Sequence, residues 1–134
     1  MANPNIVNVS TINGATATAS STGSLAGTTP AVTVSLVNNT NATLVANAAS
    51  SGTIVKLNSL VFANNSAAAV AVSASILRGA NTFYVGSAIS VPANSTLVMI
   101  SKDTNIYLVE GDALQISTVT ASAISAICSY DIIS

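Results

Sequence analysis

Few side chains in this chain of 134 residues have the chemistry of a catalytic or metal site. Histidine, the commonest general base and metal ligand, is absent. Glu110 and Asp112 flank Gly111, and two carboxylates are what a glycosidase uses as its acid and base. Asp103 and Asp112 are side chains of the kind that bind calcium. Cys128 is the only thiol, so no internal disulfide is predicted.

Each of these groups also has a simpler structural interpretation, which we favour. Two carboxylates around a glycine are typical of a solvated turn, and the chain has only three Tyr and two Phe to line a sugar site. Asp103 and Asp112 lack a third carboxylate for calcium. Cys128 lies on the apolar face of a predicted strand, which indicates a buried structural thiol. The sequence therefore predicts no enzyme, no metal and no cofactor.

The scarcity of charge is the most unusual property of the composition. Only 5% of the residues are charged and the formal net charge is −1, whereas about a quarter of an ordinary domain is charged. Three cations cannot form a groove for nucleic acid or a basic patch for a membrane surface. A freely diffusing monomer depends on surface charge for solubility. We therefore expect a subunit buried against its own copies or a larger assembly; the alternative is a soluble β-domain that relies on Ser, Thr and Asn.

Half of the residues are hydrophobic, but they alternate with Ser, Thr and Asn. No run of about eighteen apolar residues predicts a transmembrane helix. The first ten residues lack the charged and apolar regions of a secretory signal, so none is predicted.

The apolar residues repeat with the period of two that is typical of β-strands. This pattern predicts about eight or nine short strands and no long helix. We predict an all-β antiparallel sandwich with jelly-roll or Greek-key connections; a β-solenoid is the alternative, although no fixed repeat is present. The predicted strands cover residues 32–37, 43–46, 54–63, 68–78, 82–89, 96–101, 106–108, 114–117 and 123–133.

The N-terminal region is predicted to lie apart from the sandwich. Residues 1–30 are interpreted as an arm or extended low-complexity segment, and residues 31–134 as the β-sandwich domain. Within the arm, residues 11–29 are rich in Ala, Thr, Ser and Gly, which favours a flexible arm or long loop. Ile6, Val7 and Val9 could form a short strand that pairs with the sheet edge of a neighbouring subunit.

Several other residues carry predictions about the core and about contacts. Lys56 and Arg78 are isolated cations, so each is expected to pair with a carboxylate, within the chain or across a subunit boundary; solvated charges at strand edges are the alternative. Phe83 and Tyr84 could fill the core or form a contact patch, and the core is favoured. The predicted core comprises Leu57, Val61, Val72, Ile76, Leu97, Met99, Leu114, Ile116, Ile124 and Cys128.

Three stretches of the sequence, MANPNIVNVSTING, STLVMISKDTNIYLVEGDALQI and AICSYDIIS, resemble small virion structural proteins of tailed bacteriophages, especially those of cyanobacteria. The resemblance covers about residues 1–14 and 55–134, and ISKDTNIYLVEGDAL is its most specific part. It implies a small β-sandwich that self-associates, often as a trimer, and is present in many copies on the particle.

The expected function is that of a capsid decoration (cement) protein, which stabilises the head by bridging major capsid subunits. The alternative is a structural or receptor-binding module of the neck, tail or a fibre. The expected partners are copies of the chain itself and the major capsid protein or other virion proteins. The expected location is the virion, most simply the capsid surface, after synthesis in the host cytoplasm.

Overall fold

A computed structural model describes residues 9–20 and 32–134, with the backbone alone at residues 32–34. Within these residues the only helical elements are two 3-10 turns, Lys102–Thr104 and Ala121–Ala123. The all-β prediction is confirmed. The strands are β1 (Ile12–Ser20), β2 (Val32–Ser35), β3 (Ala42–Ala46), β4 (Ile54–Asn64), β5 (Val70–Arg78), β6 (Asn81–Val91), β7 (Thr96–Ile100), β8 (Ile106–Leu108), β9 (Asp112–Thr118) and β10 (Ile124–Ile133).

The strands form two sheets that enclose one core. The large sheet has the order β2-β1-β10-β4-β7, with β8 also paired to β4, and the small sheet has the order β3-β9-β5-β6. The antiparallel pairs are nested along the chain: β5 pairs with β6, β4 with β7, β3 with β9 and β1 with β10. Nested pairs that alternate between two facing sheets are the jelly-roll arrangement. The strands β2 and β8 are additions to it, and β2 pairs with β1 in parallel.

The strand β1 corrects the prediction for the N-terminal region. A flexible arm or long loop over residues 11–29 is wrong for Ile12–Ser20, which pairs with β10 along its whole length. Ala15, Ala17 and Ala19 are buried on alternate positions, so this strand supplies part of the core. Thr favours strands but Ala does not, and the small Ala side chains on the inner face give only a weak period of two in a hydrophobicity pattern. Residues 1–8 and 21–31 lie outside the described residues.

Most of the predicted core is confirmed. Leu97 and Met99 are partly buried against the core, whereas the prediction for Val61 is wrong because its side chain faces outward and is partly exposed. A β-bulge at Asn58 shifts the register between β4 and β10 and reverses the alternation of β4 beyond that point. The confirmed buried residues are Leu57, Val72, Ile76, Leu114, Ile116, Ile124 and Cys128.

The burial of β1 generates a test with a matched pair of substitutions. Ala17→Asp places an unpaired charge in the core and should lower the free energy of unfolding by about 3–5 kcal/mol. Thr16→Asp, at the adjacent exposed position, should have little effect. Urea unfolding in dilute solution measures both. Equal small effects would show that β1 does not contribute to the core.

The bulge in β4 generates a second test. Leu57→Ala should lower the free energy of unfolding by about 2–5 kcal/mol because it opens a cavity in the core. Val61→Ala should lower it by less than about 1 kcal/mol, since its side chain faces outward. Urea unfolding midpoints measure both effects. A low protein concentration is used so that self-association does not contribute to the measured stability. A larger loss at Val61 than at Leu57 would contradict the shifted register of β4.

Candidate functional site

Cys128 is enclosed at the centre of the large sheet. It lies on β10 opposite Ala17 of β1 and Leu60 of β4, and its side chain is buried. Burial raises the pKa of the Cys128 thiol to about 12 because the thiolate would lose its hydration. The nucleophilic thiolate is therefore scarce at neutral pH, and the group acts as a small core side chain.

Asp112 is held in a bidentate ion pair at one end of the sandwich. Arg78 Nε donates to Asp112 Oδ1 at 2.8 Å, and Arg78 Nη2 lies 2.5 Å from Asp112 Oδ2. The Asp112 side chain is only 1% exposed, whereas the Arg78 side chain is 56% exposed. The hydrogen bonds, and then the charge of Asp112, raise the pKa of the Arg78 guanidinium. The predicted pairing of Arg78 with a carboxylate is thus present within the chain, and a contact of Arg78 across a subunit boundary remains a prediction.

Glu110 joins two loops at the same end of the sandwich. The backbone amide of Gly52 donates to Glu110 Oε1 at 2.6 Å, and the backbone amide of Gly111 donates to the Asn47 carbonyl at 2.8 Å. Gly111 has a φ of 87°, the left-handed conformation that glycine accepts without strain. Glu110 and Asp112 are both buried, so the prediction of a solvated turn is wrong. The two carboxylates instead fix the turn from the inside.

The side chain of Asn47 completes this closure. Asn47 Nδ2 donates to the carbonyls of Thr53 and Leu108 at 2.8 and 3.0 Å. Asn47 Oδ1 accepts from the hydroxyls of Ser51 and Thr53 at 2.7 and 2.9 Å. A buried amide with its hydrogen bonds satisfied specifies one arrangement of the loops around it. The cluster is structural, because its polar atoms are already engaged with the backbone and with neighbouring hydroxyls.

The two carboxylates that are candidate calcium ligands lie in different surroundings. Asp103 is exposed on the 3-10 turn Lys102–Thr104, whereas Asp112 is buried at the start of β9. Across the part of the chain that the structure describes, no group of three or more possible ligand side chains could hold a metal ion.

The outer face of the large sheet carries an apolar row beside a pair of opposite charges. We call this surface the charged-apolar face and define it by Lys56 and Val61 of β4, Ile127 and Asp131 of β10, and Val98 of β7. Ile127, Val61 and Val98 are direct neighbours across three strands, and Ile127 and Val98 are 50% and 57% exposed. Lys56 and Asp131 are also direct neighbours. The exposed Tyr107 of β8 lies next to Lys56 on the other side.

A second exposed apolar surface lies on β6, an edge strand of the small sheet. Phe83 and Tyr84 are 57% and 63% exposed, so the prediction that they fill the core is wrong. Phe83 pairs with the buried Ile76, which places it on the inner face of the sheet. That position lies at the sheet edge, where the aromatic ring is left in contact with solvent. Their alternative role, a contact patch, remains a prediction.

A shallow depression on the small sheet is too small for an ordinary ligand. It has a volume of about 170 Å³ and is lined by residues that include Ser73, Ala88 and Ser117. Sites for small molecules usually have volumes of about 300–1,000 Å³. The backbone amide of Ala88 donates to Ser73 Oγ at 2.8 Å, so one of the polar groups in this depression is already paired.

The predicted contact residues are thus distributed over separate parts of the molecule. Lys56 is on the charged-apolar face, and Arg78 is paired with Asp112 at one end of the sandwich. Val9 is partly exposed, next to Ser10, whose backbone amide donates to the Ser134 carbonyl at 2.8 Å. Ile6 and Val7 lie outside the described residues. The sequence missed the apolar row, because the bulge at Asn58 is what brings Val61 onto the same face as Lys56.

No protein-family model, curated protein or solved structure matches this chain. Among the described residues, no helix is long and apolar enough to cross a membrane.

The ion pair of Asp112 generates a stability test. Asp112→Ala removes both bonds from Arg78 and the acceptor of the Val109 amide, and should lower the free energy of unfolding by roughly 1–3 kcal/mol. Asp103→Ala removes a carboxylate from an exposed turn and should have little effect. Thermal or urea unfolding measures the difference. Equal changes for the two variants would show that the buried pair does not stabilise the turn.

Proposed function

We propose that this chain is a structural, self-associating subunit of a virus particle, and specifically a capsid decoration protein that bridges major capsid subunits. The observation that carries the proposal is that reactive side chains are buried while apolar surfaces are exposed. The thiol is enclosed and two of the four carboxylates are buried, while the charged-apolar face and β6 are exposed. Such a molecule is suited to binding other proteins through its surface rather than to chemistry.

Two further observations support this proposal. The jelly roll is a fold of many viral capsid domains, although a fold alone does not define a function. An uncharged edge strand such as β6 and an apolar sheet face are the surfaces that monomeric proteins normally protect. The sequence resemblance to virion structural proteins of tailed phages is consistent with both, and it implies a trimer.

A second candidate is a receptor-binding module of a tail or fibre, which the exposed aromatic side chains favour. Phe83 and Tyr84 lie side by side in sequence, just after the turn between β5 and β6. Exposed Tyr and Phe are common at sites that bind other molecules because they bury much apolar area with little loss of conformational entropy.

The number of copies on the particle distinguishes the two candidates. A decoration protein should occur in a fixed ratio close to that of the major capsid protein, and cryo-electron microscopy should show it on the head. Particles that lack it should release DNA at a lower temperature, and purified full-length chain should restore the original temperature. A small copy number confined to the tail, with unchanged heat resistance of the head, would contradict the decoration role and favour the second candidate.

A further inference from the structure

We propose that the charged-apolar face is the surface through which two copies of this chain pack face to face, related by a two-fold axis. The inference rests on the self-association in the proposed function, and it names the contacting surface and the partner, a second copy. It follows from the charges and from the register of β4 and β10.

The charged-apolar face carries one cation and one anion, Lys56 and Asp131. All four carboxylate side chains lie within the described residues, and none of them forms an ion pair with Lys56. Asp131 is its direct neighbour, but Asp131 Oδ2 instead accepts a hydrogen bond from Asn58 Nδ2 at 2.9 Å. The other residues that define the charged-apolar face are apolar. A surface with a single adjacent pair of opposite charges is complementary to a second copy of itself.

One symmetry operation matches both the charges and the apolar row. A two-fold axis in the plane of the contact, parallel to β4 and β10 and midway between them, exchanges positions on these strands. Lys56 of each copy is then opposite the partner's Asp131, since the two residues are in register. Val61 of each copy is opposite the partner's Ile127 for the same reason. The strands of the two sheets are close to aligned, as in ordinary sheet packing.

The available area is of the size that a stable contact needs. Four strands about 4.8 Å apart and about nine residues long, at about 3.3 Å per residue, cover roughly 600 Å² in projection. A standard interface buries about 800 Å² of solvent-accessible surface on each partner. The accessible surface follows the side chains, so it is larger than the projected area of the same face. The row of Ile127, Val61 and Val98 would form its apolar centre, which is the arrangement typical of stable interfaces.

The two-fold differs from the three-fold arrangement that the resemblance implies. Lys56 and Asp131 are neighbours on a single face, so one copy cannot present them to two different neighbours. A ring of three copies requires two different contact surfaces on each subunit, whereas a two-fold contact uses the same surface twice.

The test uses two charge reversals in the full chain and their mixture. Lys56→Asp and Asp131→Lys each place like charges opposite one another, so each variant alone should dimerise at least about tenfold more weakly than the wild type. Mixed in equal amounts, they should form a mixed dimer, because each face then meets the opposite charges. Light scattering and native mass spectrometry report the species. The matched controls are the reversals Lys102→Asp and Asp103→Lys, on the exposed turn between β7 and β8. These two residues are not among those that define the charged-apolar face, so the reversals should leave the dimer unchanged.

Other results would overturn the inference. They are a wild-type chain that is monomeric or trimeric at micromolar concentration, single variants that associate as the wild type does, or dissociated variants whose mixture stays dissociated. Circular dichroism checks folding. If a reversal fails to fold, Ile127→Asp, at a half-exposed position, should give a folded monomer, and a folded dimer would overturn the inference. Particle binding by the same proteins separates the two proposals, since a dimer that does not bind particles would contradict only the decoration role.

Discussion

The pairing of β10 between β1 and β4 is the constraint on which the rest of the structure depends. It joins the last strand to the first described one and places both strands in one sheet. The nested order requires the local β5–β6 pair to be enclosed by β4–β7, β3–β9 and finally β1–β10. Each outer pair joins strands that are farther apart in sequence and so costs more chain entropy to form, and the β1–β10 pair has the largest separation. Ala15, Ala17 and Ala19 fit the inner side of β1 without adding bulk to the core.

The two ends of β4 show how this fold manages with so little charge. At one end the Asn47 amide ties together the carbonyls of Thr53 and Leu108. At the other end Asn64 Nδ2 donates to the carbonyls of Ala68 and Val91 at 2.8 and 3.0 Å. A neutral amide has donors and an acceptor and avoids the large desolvation cost of an ion, so it can hold several loops from a buried position. The only ion pair among the described residues, Arg78–Asp112, keeps its cation half exposed, which lowers that cost.

The sequence predicted the strand content and the layered fold because most strands carry branched apolar residues on alternate positions. It failed where that signal was absent or was shifted. The strand β1 alternates Ala with Thr and resembles a linker in composition. The bulge at Asn58 moves Val61 to the outer face, and nothing in a run of alternating residues marks a one-residue shift. Phe83 is apolar but lies at a sheet edge, and burial at an edge depends on what covers it. The closure by Glu110 and Asp112 depends on loops that are far apart in sequence, so local turn chemistry indicated solvated carboxylates instead.

The scarcity of charge also determines which residues can fix the relative orientation of the two copies in the proposed assembly. Apolar contacts stabilise association but have little directional preference, so the row of Ile127, Val61 and Val98 would tolerate sliding along the strands. Two opposite charges at a fixed register remove that freedom, because a slip of one residue or more separates each ammonium from its carboxylate. In a protein with an ordinary surface, many charges share this role and none is decisive. In this chain Lys56 and Asp131 are the charges on that face, so the register of the contact would depend on them.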